Sequence, residues 1–341
     1  MEPLSNLHAQ RDFGRGGRDA NVVIRPVRRP EIHRSLQLIL GQGKRPAAEE
    51  QVVDFLRFAI YRGIDLNDIW VADDGGPIVW AILPVVSPGR TMLLFSPSHV
   101  PSAMLDTVIC PLVERVLEHF GGGGARAAAE TIELAQVLID PAEVRAVRLY
   151  EKCGFERLAE LIYLERDVRK AHDANLVNGF EWETYSSATH EQFARTIAAS
   201  YAGSLDCPSL NGRRNVEDVI AGHKSSGEFD PKLWFLLREK DEPCGVLLLN
   251  RSPRTDALEL VYLGLTPQAR GRGLGDLMMK HALATASAVG ERRLTLAVDS
   301  RNAPALKLYH RHGLSRVCSR LALLRDLRRD PAPHTDEAAA R

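Results

Sequence analysis

A ten-residue pattern occurs twice in this chain. Ala146-Val-Arg-Leu-Tyr-Glu-Lys-Cys-Gly-Phe155 and Ala305-Leu-Lys-Leu-Tyr-His-Arg-His-Gly-Leu314 agree at Ala, Leu, Tyr and Gly. Internal repetition of this kind means one supersecondary unit used twice. The periodicities around both copies support that reading, because they give the same order of elements: strand, helices, hairpin, strand, helix, strand, helix, strand. A chain of 341 residues is long enough for two domains. The expected fold class is therefore α/β (of the α+β kind), with each copy a mixed, mostly antiparallel sheet flanked by helices.

In the first copy, Val22–Val27 reads as a strand and Glu31–Leu40 and Ala47–Arg62 as helices. Ile69–Ala72 and Ile78–Val86 form a hairpin across Asp73-Asp-Gly-Gly76. Thr91–Phe95 is a strand, and Leu105–Phe120 is a helix stopped by Gly121–Gly124. Ala135–Ile139 is a strand, Pro141–Lys152 a helix with its proline near N1, and Phe155–Val168 the closing strand or strands. The second copy repeats this with Phe180–Tyr185, Glu191–Tyr201, Val216–Gly222, a hairpin of Trp234–Arg238 and Gly245–Asn250 across Glu239–Pro243, Leu260–Leu265, Leu277–Val289, Leu294–Val298, Ala303–His312 and Ser315–Arg325. The expected partition is a flexible leader at 1–20, a first domain at 21–170, a polar linker at 171–179, a second domain at 180–328 and a disordered tail at 329–341.

The second copy holds a strand, a glycine-rich turn and a helix in succession: Glu259-Leu-Val-Tyr-Leu-Gly-Leu-Thr-Pro-Gln-Ala-Arg-Gly-Arg-Gly-Leu-Gly275. Glycines let backbone approach a ligand closely, and the free N–H groups of a helix's first turn favour an anion. Three phosphate-binding patterns compete for this loop. A P-loop needs Lys-Ser or Lys-Thr after its last glycine, where this chain has Leu274-Gly275-Asp276. A Rossmann fingerprint needs its third glycine one residue later than Gly275. The pattern Arg/Gln-x-x-Gly-x-Gly/Ala fits Arg270-Gly-Arg-Gly-Leu-Gly275 without adjustment. With this loop, the twice-used Ala-x-x-Leu-Tyr-x-x-x-Gly segment and the repeated element order, the chain resembles the GCN5-related N-acetyltransferase (GNAT) superfamily over about residues 20–326. Its two-unit layout is similar to the tandem branch that includes mycothiol synthase.

The resemblance implies acetyl-CoA as co-substrate. Its diphosphate would lie on the backbone of Gly271, Arg272, Gly273, Leu274, Gly275 and Asp276, with Arg270 or Arg272 adding charge. Backbone groups of Leu263 and Leu265 would line the pantetheine arm beside a bulged strand, Asn302 would touch that arm, and the Leu263 N–H would donate to the thioester oxygen. Glu259, eleven residues before Arg270, takes the place of the family's carboxylate base, and Tyr309 that of its general acid. Each also reads without chemistry: Glu259 as a solvated strand start, Tyr309 as a packing residue like its twin Tyr150. The irregular stretch 204–214 is long enough to be a binding loop. Asp206, Asn211, Arg213 and His223 are the polar acceptor candidates in and after it, and each could equally stabilise the local backbone.

The copies are unequal. In place of the glycine loop the first has Phe95-Ser-Pro-Ser-His-Val-Pro-Ser-Ala103, in which two prolines remove N–H donors. Glu143 replaces Asn302, and a carboxylate there repels a phosphorylated ligand. The expectation is a degenerate first unit and one working site in the second.

Composition closes off other classes. Lys+Arg and Asp+Glu number 44 each, so no net field draws the chain to nucleic acid or membrane. No apolar run approaches a bilayer span, and five scattered cysteines give neither a metal site nor a disulfide framework, which points to the cytoplasm. The expected activity is direct transfer of acetyl to a primary amine on a small molecule or peptide, by a monomer or homodimer. A non-catalytic acyl-CoA-binding or regulatory protein is the alternative.

Overall fold

The structure, a computed structural model, describes residues 22–328 apart from 42, 44, 74, 102–103, 122–130, 169–178 and 253–254. The expected leader, the linker up to residue 178 and the tail lie outside the described residues. The amino-terminal half runs β1 Val23–Pro26, α1 Ile32–Ile39, α2 Glu49–Arg62, β2 Trp70–Asp73, β3 Ile78–Ser87, β4 Thr91–Phe95, α3 Cys110–Phe120, β5 Leu134–Ile139, α4 Val144–Lys152 and β6 Glu156–Asp167. The carboxy-terminal half runs β7 Phe180–Thr184, α5 His190–Ser200, α6 Val216–Ser225, β8 Trp234–Glu239, β9 Glu242–Arg251, β10 Ala257–Leu265, α7 Leu274–Ala288, β11 Arg293–Asp299, α8 Ala303–Arg311 and β12 Ser315–Asp326.

Three boundaries differ from the sequence expectation for local reasons. The helix expected from Leu105 is a π-helical turn, Leu105–Ile109, followed by α3. Pro111, in the first turn of α3, has no N–H to continue a regular ladder backward. Helix α4 starts at Val144 and not at Pro141, because Asp140 Oδ1 accepts the Ala142 N–H at 3.0 Å and holds Pro141 in a turn. The β8–β9 hairpin turns on two residues, Lys240 and Asp241, both left-handed at φ 47° and 67°.

The twelve strands of the described residues join one sheet in the order β1-β2-β3-β4-β5-β12-β6-β11-β10-β9-β8-β7. Among the described residues only β4–β5 and β10–β11 are parallel. The two halves exchange their last strands. β6 pairs with β11 from Asp167↔Arg293 to Leu161↔Asp299, and β12 pairs with β5 from Leu321↔Ile139 to Asp326↔Leu134. Each half's sheet is thus completed by the other half, so separating them would break continuous ladders on both sides. Arg325 on β12 fastens the exchange by donating to Glu114 on α3 and to the Cys153 carbonyl after α4.

Alternation along the strands divides the core. Trp80, Ile82, Met92 and Leu94 face α3 and α4, whereas Val71, Ala81 and Leu83 face α1 and α2. In the other half, Leu247, Leu249, Leu258 and Leu260 meet Met278, Met279, Ala282 and Leu283 of α7, while Val246 and Leu248 meet Phe193 and Ile197 of α5 with Val219 and Ile220 of α6. Over the central strands a smaller cluster of Leu134, Leu158, Ala159, Ala322 and Leu324 is covered by Cys207 and Leu210. The irregular stretch 203–214 therefore lies across the seam of the two halves.

Candidate active site

Strands β10 and β11 pair only from Ala257↔Arg293 to Leu260↔Leu296. Beyond Leu260, β10 stays with β9, where the register slips between Leu260 and Tyr262, and it leaves β11. The slip is a β-bulge, which increases local twist and ends pairing on the far side. A cleft of about 600 Å³ opens there, lined by Leu263, Leu265, Gly271, Gly273, Asn302 and Tyr309 among others. Thr266 donates its N–H to Cys244 on β9 at 3.0 Å. By strand alternation the Leu263 and Leu265 N–H groups then point away from β9, into the cleft.

The glycine loop closes one end. Gly271 and Gly273 have φ of 72° and 78°, and a Cβ on either would meet nothing within 4 Å. Among the described residues, no backbone bond takes the N–H of Gly271, Arg272, Gly273, Leu274 or Gly275, while the Asp276 N–H donates to the Gly273 carbonyl at 3.0 Å. Free amides at the start of α7, a helix of 15 residues, are an arrangement that favours an anion. Gly275 serves a different purpose: a Cβ there would stand 3.1 Å from Leu308, so its absence lets α7 and α8 approach. The Leu274 side chain is buried in the core under α7. Asp276 lines the cleft, yet its carboxylate is held by Lys280, Arg311 and His312 at 3.1, 3.1 and 2.8 Å. Those hydrogen bonds and charges outweigh burial and keep its pKa below the usual range.

The two loop arginines have structural partners. Arg270 donates to the carbonyls of Leu265, Ala202 and Ser200 at 3.2, 2.7 and 2.7 Å, and so ties the loop to the end of α5. Arg272 forms a two-pronged pair with Glu239 at 2.8 and 2.6 Å, facing the β8–β9 turn. Arg270 lines the cleft; Arg272 is not among its lining residues.

At the other end, Asn302 caps α8 by accepting the Ala305 N–H at 3.3 Å. Tyr309, one further turn along, is 7 % exposed, and its hydroxyl has no hydrogen-bond partner among the described residues. Burial, with the nearby Asp206 charge, raises that phenol well above its ordinary pKa, so it stays protonated at any physiological pH. Asp206 also lines the cleft and accepts the Asp299 N–H at 3.1 Å. Burial raises its carboxyl as well.

Glu259 stands on the opposite face of β10 from Leu260. It is opposite Asn250 on β9 and Thr295 on β11. Asn250 is fully buried, accepts from Trp234 Nε1 at 2.9 Å, and donates to the His223 carbonyl and the Ser226 hydroxyl at 2.7 and 3.0 Å. Burial raises the Glu259 carboxyl above its ordinary range, and the one opposing influence is the Arg62 cation. Arg62 ends α2 in the other half and donates to the Ser225 carbonyl at the end of α6. Tyr163, on the exchanged strand β6, is also close enough for the Glu259 charge to raise its phenol, although burial is the larger cause.

Of the four acceptor candidates only Asp206 lines the cleft. Asn211 donates to the Tyr201 carbonyl at 3.2 Å, and Arg213 pairs with Glu156 at 3.4 Å. His223 stacks on Tyr262 with ring centroids 5.5 Å apart, and its Nε2 is buried with no partner among the described residues. Burial, then the Arg214 charge, pushes its pKa down to about 4, so it is neutral. Arg62 and Tyr163 were not singled out by the sequence. Both belong to the first half, and no local pattern reports a contact made across an exchanged strand.

The corresponding place in the first half is built differently. β3 and β4 pair from Leu83↔Phe95 to Ser87↔Thr91 with no bulge. Tyr150, the twin of Tyr309, shares a hydrogen bond of 2.7 Å with the Ser96 hydroxyl. Glu143 occupies the cap position of α4 without a side-chain bond to the helix.

Residues 204–314 match the family model "Acetyltransferase (GNAT) family". A mycothiol acetyltransferase of Geodermatophilus obscurus is 29% identical over 180 residues, which are 50% of this chain and 57% of that protein. One from Beutenbergia cavernae is 31% identical over 184 residues, 50% of this chain and 60% of that protein. The matched region thus spans less than two thirds of the length of these relatives. Among solved structures, a GCN5-related N-acetyltransferase from Sphaerobacter thermophilus superposes with a TM-score of 0.58 at 18% identity, covering 92% of this chain and 98% of that one. At that identity the likeness concerns the fold. The family match falls on the stretch in which β10 parts from β11 and the loop amides are free, so through residues 204–314 the chain is similar to the acetyltransferase (GNAT) family in the segment that builds the cleft.

Proposed function

We propose that the protein is an acetyl-CoA-dependent N-acetyltransferase with one working site, the cleft between β10 and β11. The observation that carries this reading is the parting of the two strands after Leu260, which turns the Leu263 and Leu265 N–H groups toward a space that ends at five unpaired loop amides. A thioester with a diphosphate tail fits both features. The amides from Gly271 to Gly275 would hold the diphosphate, and the carbonyl oxygen would meet the Leu263 N–H. Arg270 contributes by fixing the loop, since its guanidinium is spent on three carbonyls.

The amine enters from the α5–α6 face. Glu259 takes its proton, directly or through water, because an alkylammonium with a pKa of about 10.4 leaves little free amine at pH 7. A carboxyl raised by burial is better matched to that task than an ordinary one. The amine nitrogen forms a bond to the carbonyl carbon, the carbon–sulfur bond breaks, and Tyr309 supplies a proton to the departing thiolate. The first half acts as a non-catalytic partner, the division being 21–170 and 180–328 with 171–179 between them. It completes the second sheet with β6 and lends Arg62 and Tyr163 to the acceptor side. A small-molecule amine is the acceptor class that the mycothiol acetyltransferase relatives support.

The test is release of free CoA thiol from acetyl-CoA across a panel of primary amines, together with calorimetric titration of acetyl-CoA. Tight binding with turnover on at least one amine supports the proposal. Binding without turnover on any amine leaves an acyl-CoA-binding protein in its place.

A further inference from the structure

Five cysteines scattered through the chain gave no sign of a pair, and the fold brings two of them together. Cys153 at the end of α4 donates to Cys110 at the start of α3, with the sulfurs 3.3 Å apart across 43 residues of sequence. We propose that Cys110 and Cys153 are a redox-reactive dithiol that hydrogen peroxide or an organic hydroperoxide converts to a disulfide, fastening α3 to the end of α4.

The geometry assigns the two sulfurs different parts. Cys110 is half-buried and open to a small oxidant, while Cys153 is 3 % exposed. The hydrogen bond to Cys110, with burial next, raises the Cys153 thiol and keeps it protonated, so it is the resolving group and not the first to react. In the first step the Cys110 sulfur attacks the peroxide. The O–O bond breaks, an S–O bond forms, and water or an alcohol leaves, giving a sulfenic acid. In the second step the Cys153 sulfur attacks the Cys110 sulfur. An S–S bond forms, the S–O bond breaks, and the hydroxyl leaves with the thiol proton as water. Two thiols are oxidised by two electrons and one peroxide is reduced. The sulfurs already stand within about 1.3 Å of bonded separation, so closure needs only a small rotamer adjustment.

The position gives the bond a consequence. Glu114 lies one helical turn after Cys110, and Arg325 of the exchanged strand β12 holds both Glu114 and the Cys153 carbonyl, at 2.5 and 2.6 Å. A disulfide here would lock the two helices that clamp β12 into the first half. Closing a loop of 43 residues in the unfolded chain should raise the melting temperature by about 5 °C for a protein of this size.

The experiment uses the full chain. Folded protein is treated with hydrogen peroxide, quenched, denatured and alkylated, and its peptides are mapped by mass. The expected result is a single cross-linked peptide pair containing Cys110 and Cys153, a loss of two hydrogens, reversal by dithiothreitol, and a melting temperature higher by several degrees. Cys110→Ser should remove the cross-link and the shift together. Full alkylation of both residues after treatment, or a cross-link joining another pair, overturns the proposal. So does an oxidised protein that melts no higher than the reduced one.

Discussion

Replacing Gly273 by Glu is the sharpest test of the amide loop. Gly273 sits at φ 78° as the cap of α7, and a Cβ built on it meets no atom within 4 Å. The structural cost is therefore that of a side chain in left-handed backbone alone, about 1–2 kcal/mol, or roughly 1–3 °C in the melting temperature of a chain this long. The effect on binding is larger. A carboxylate about 6 Å from a bound phosphate repels it by about 0.7 kcal/mol per charge at the dielectric of water and about 3 kcal/mol at an effective value of 20. The diphosphate carries two such charges, so acetyl-CoA affinity should fall at least tenfold and as much as about ten-thousandfold. Gly273→Ala is the control, with the same backbone cost and no charge. Calorimetric titration with acetyl-CoA at low salt, beside a thermal melt of each variant, gives both quantities. If Gly273→Glu binds as tightly as the unaltered protein, the diphosphate does not lie on this loop. If Gly273→Ala loses as much as Gly273→Glu, the loss is not electrostatic and charge repulsion at this loop is refuted.

Five further outcomes are expected. Glu259→Gln should remove the acid limb of the pH–kcat/KM profile, since a base raised by burial is lost as pH falls through its pKa; an unchanged limb ends its role as base. The same change should raise the melting temperature at pH 8 more than at pH 5, because a carboxyl whose folded pKa is raised costs stability as pH rises; a gap that widens toward acid would contradict the burial. Arg62→Met, by removing the cation that opposes this shift, should move the acid limb to higher pH, and Arg62→Lys should restore it; a limb fixed in both variants rules out the cross-half influence. Tyr309→Phe should lower kcat by roughly ten- to a hundredfold with acetyl-CoA affinity nearly intact, and a full rate would leave the residue a packing group. Arg270→Ala, which strips three carbonyls of their donor, should cost about 2–4 kcal/mol in urea unfolding, against little for Arg272→Ala on the surface.

The chain's own order of residues determined the repeat, the element types and the loop. These are local or periodic signals: Gly271 and Gly273 where left-handed backbone is needed, apolar spacing in α7, and the Ala-x-x-Leu-Tyr-x-x-x-Gly segment written twice. Boundaries were less legible where a single side chain decided them, as Asp140 does before α4. Tertiary structure alone decided the partners. The exchange of β6 and β12 is a choice among equally good apolar strands, and it brings Arg62 and Tyr163 to Glu259, while the packing of α3 beside α4 brings Cys110 to within reach of Cys153. Charge and residue type allow Arg270 and Arg272 to face an anion; only their folded positions show each guanidinium already committed elsewhere. Hydrogen bonds and burial depend on distances between residues far apart in the chain, and the folded chain, not its linear order, sets those distances.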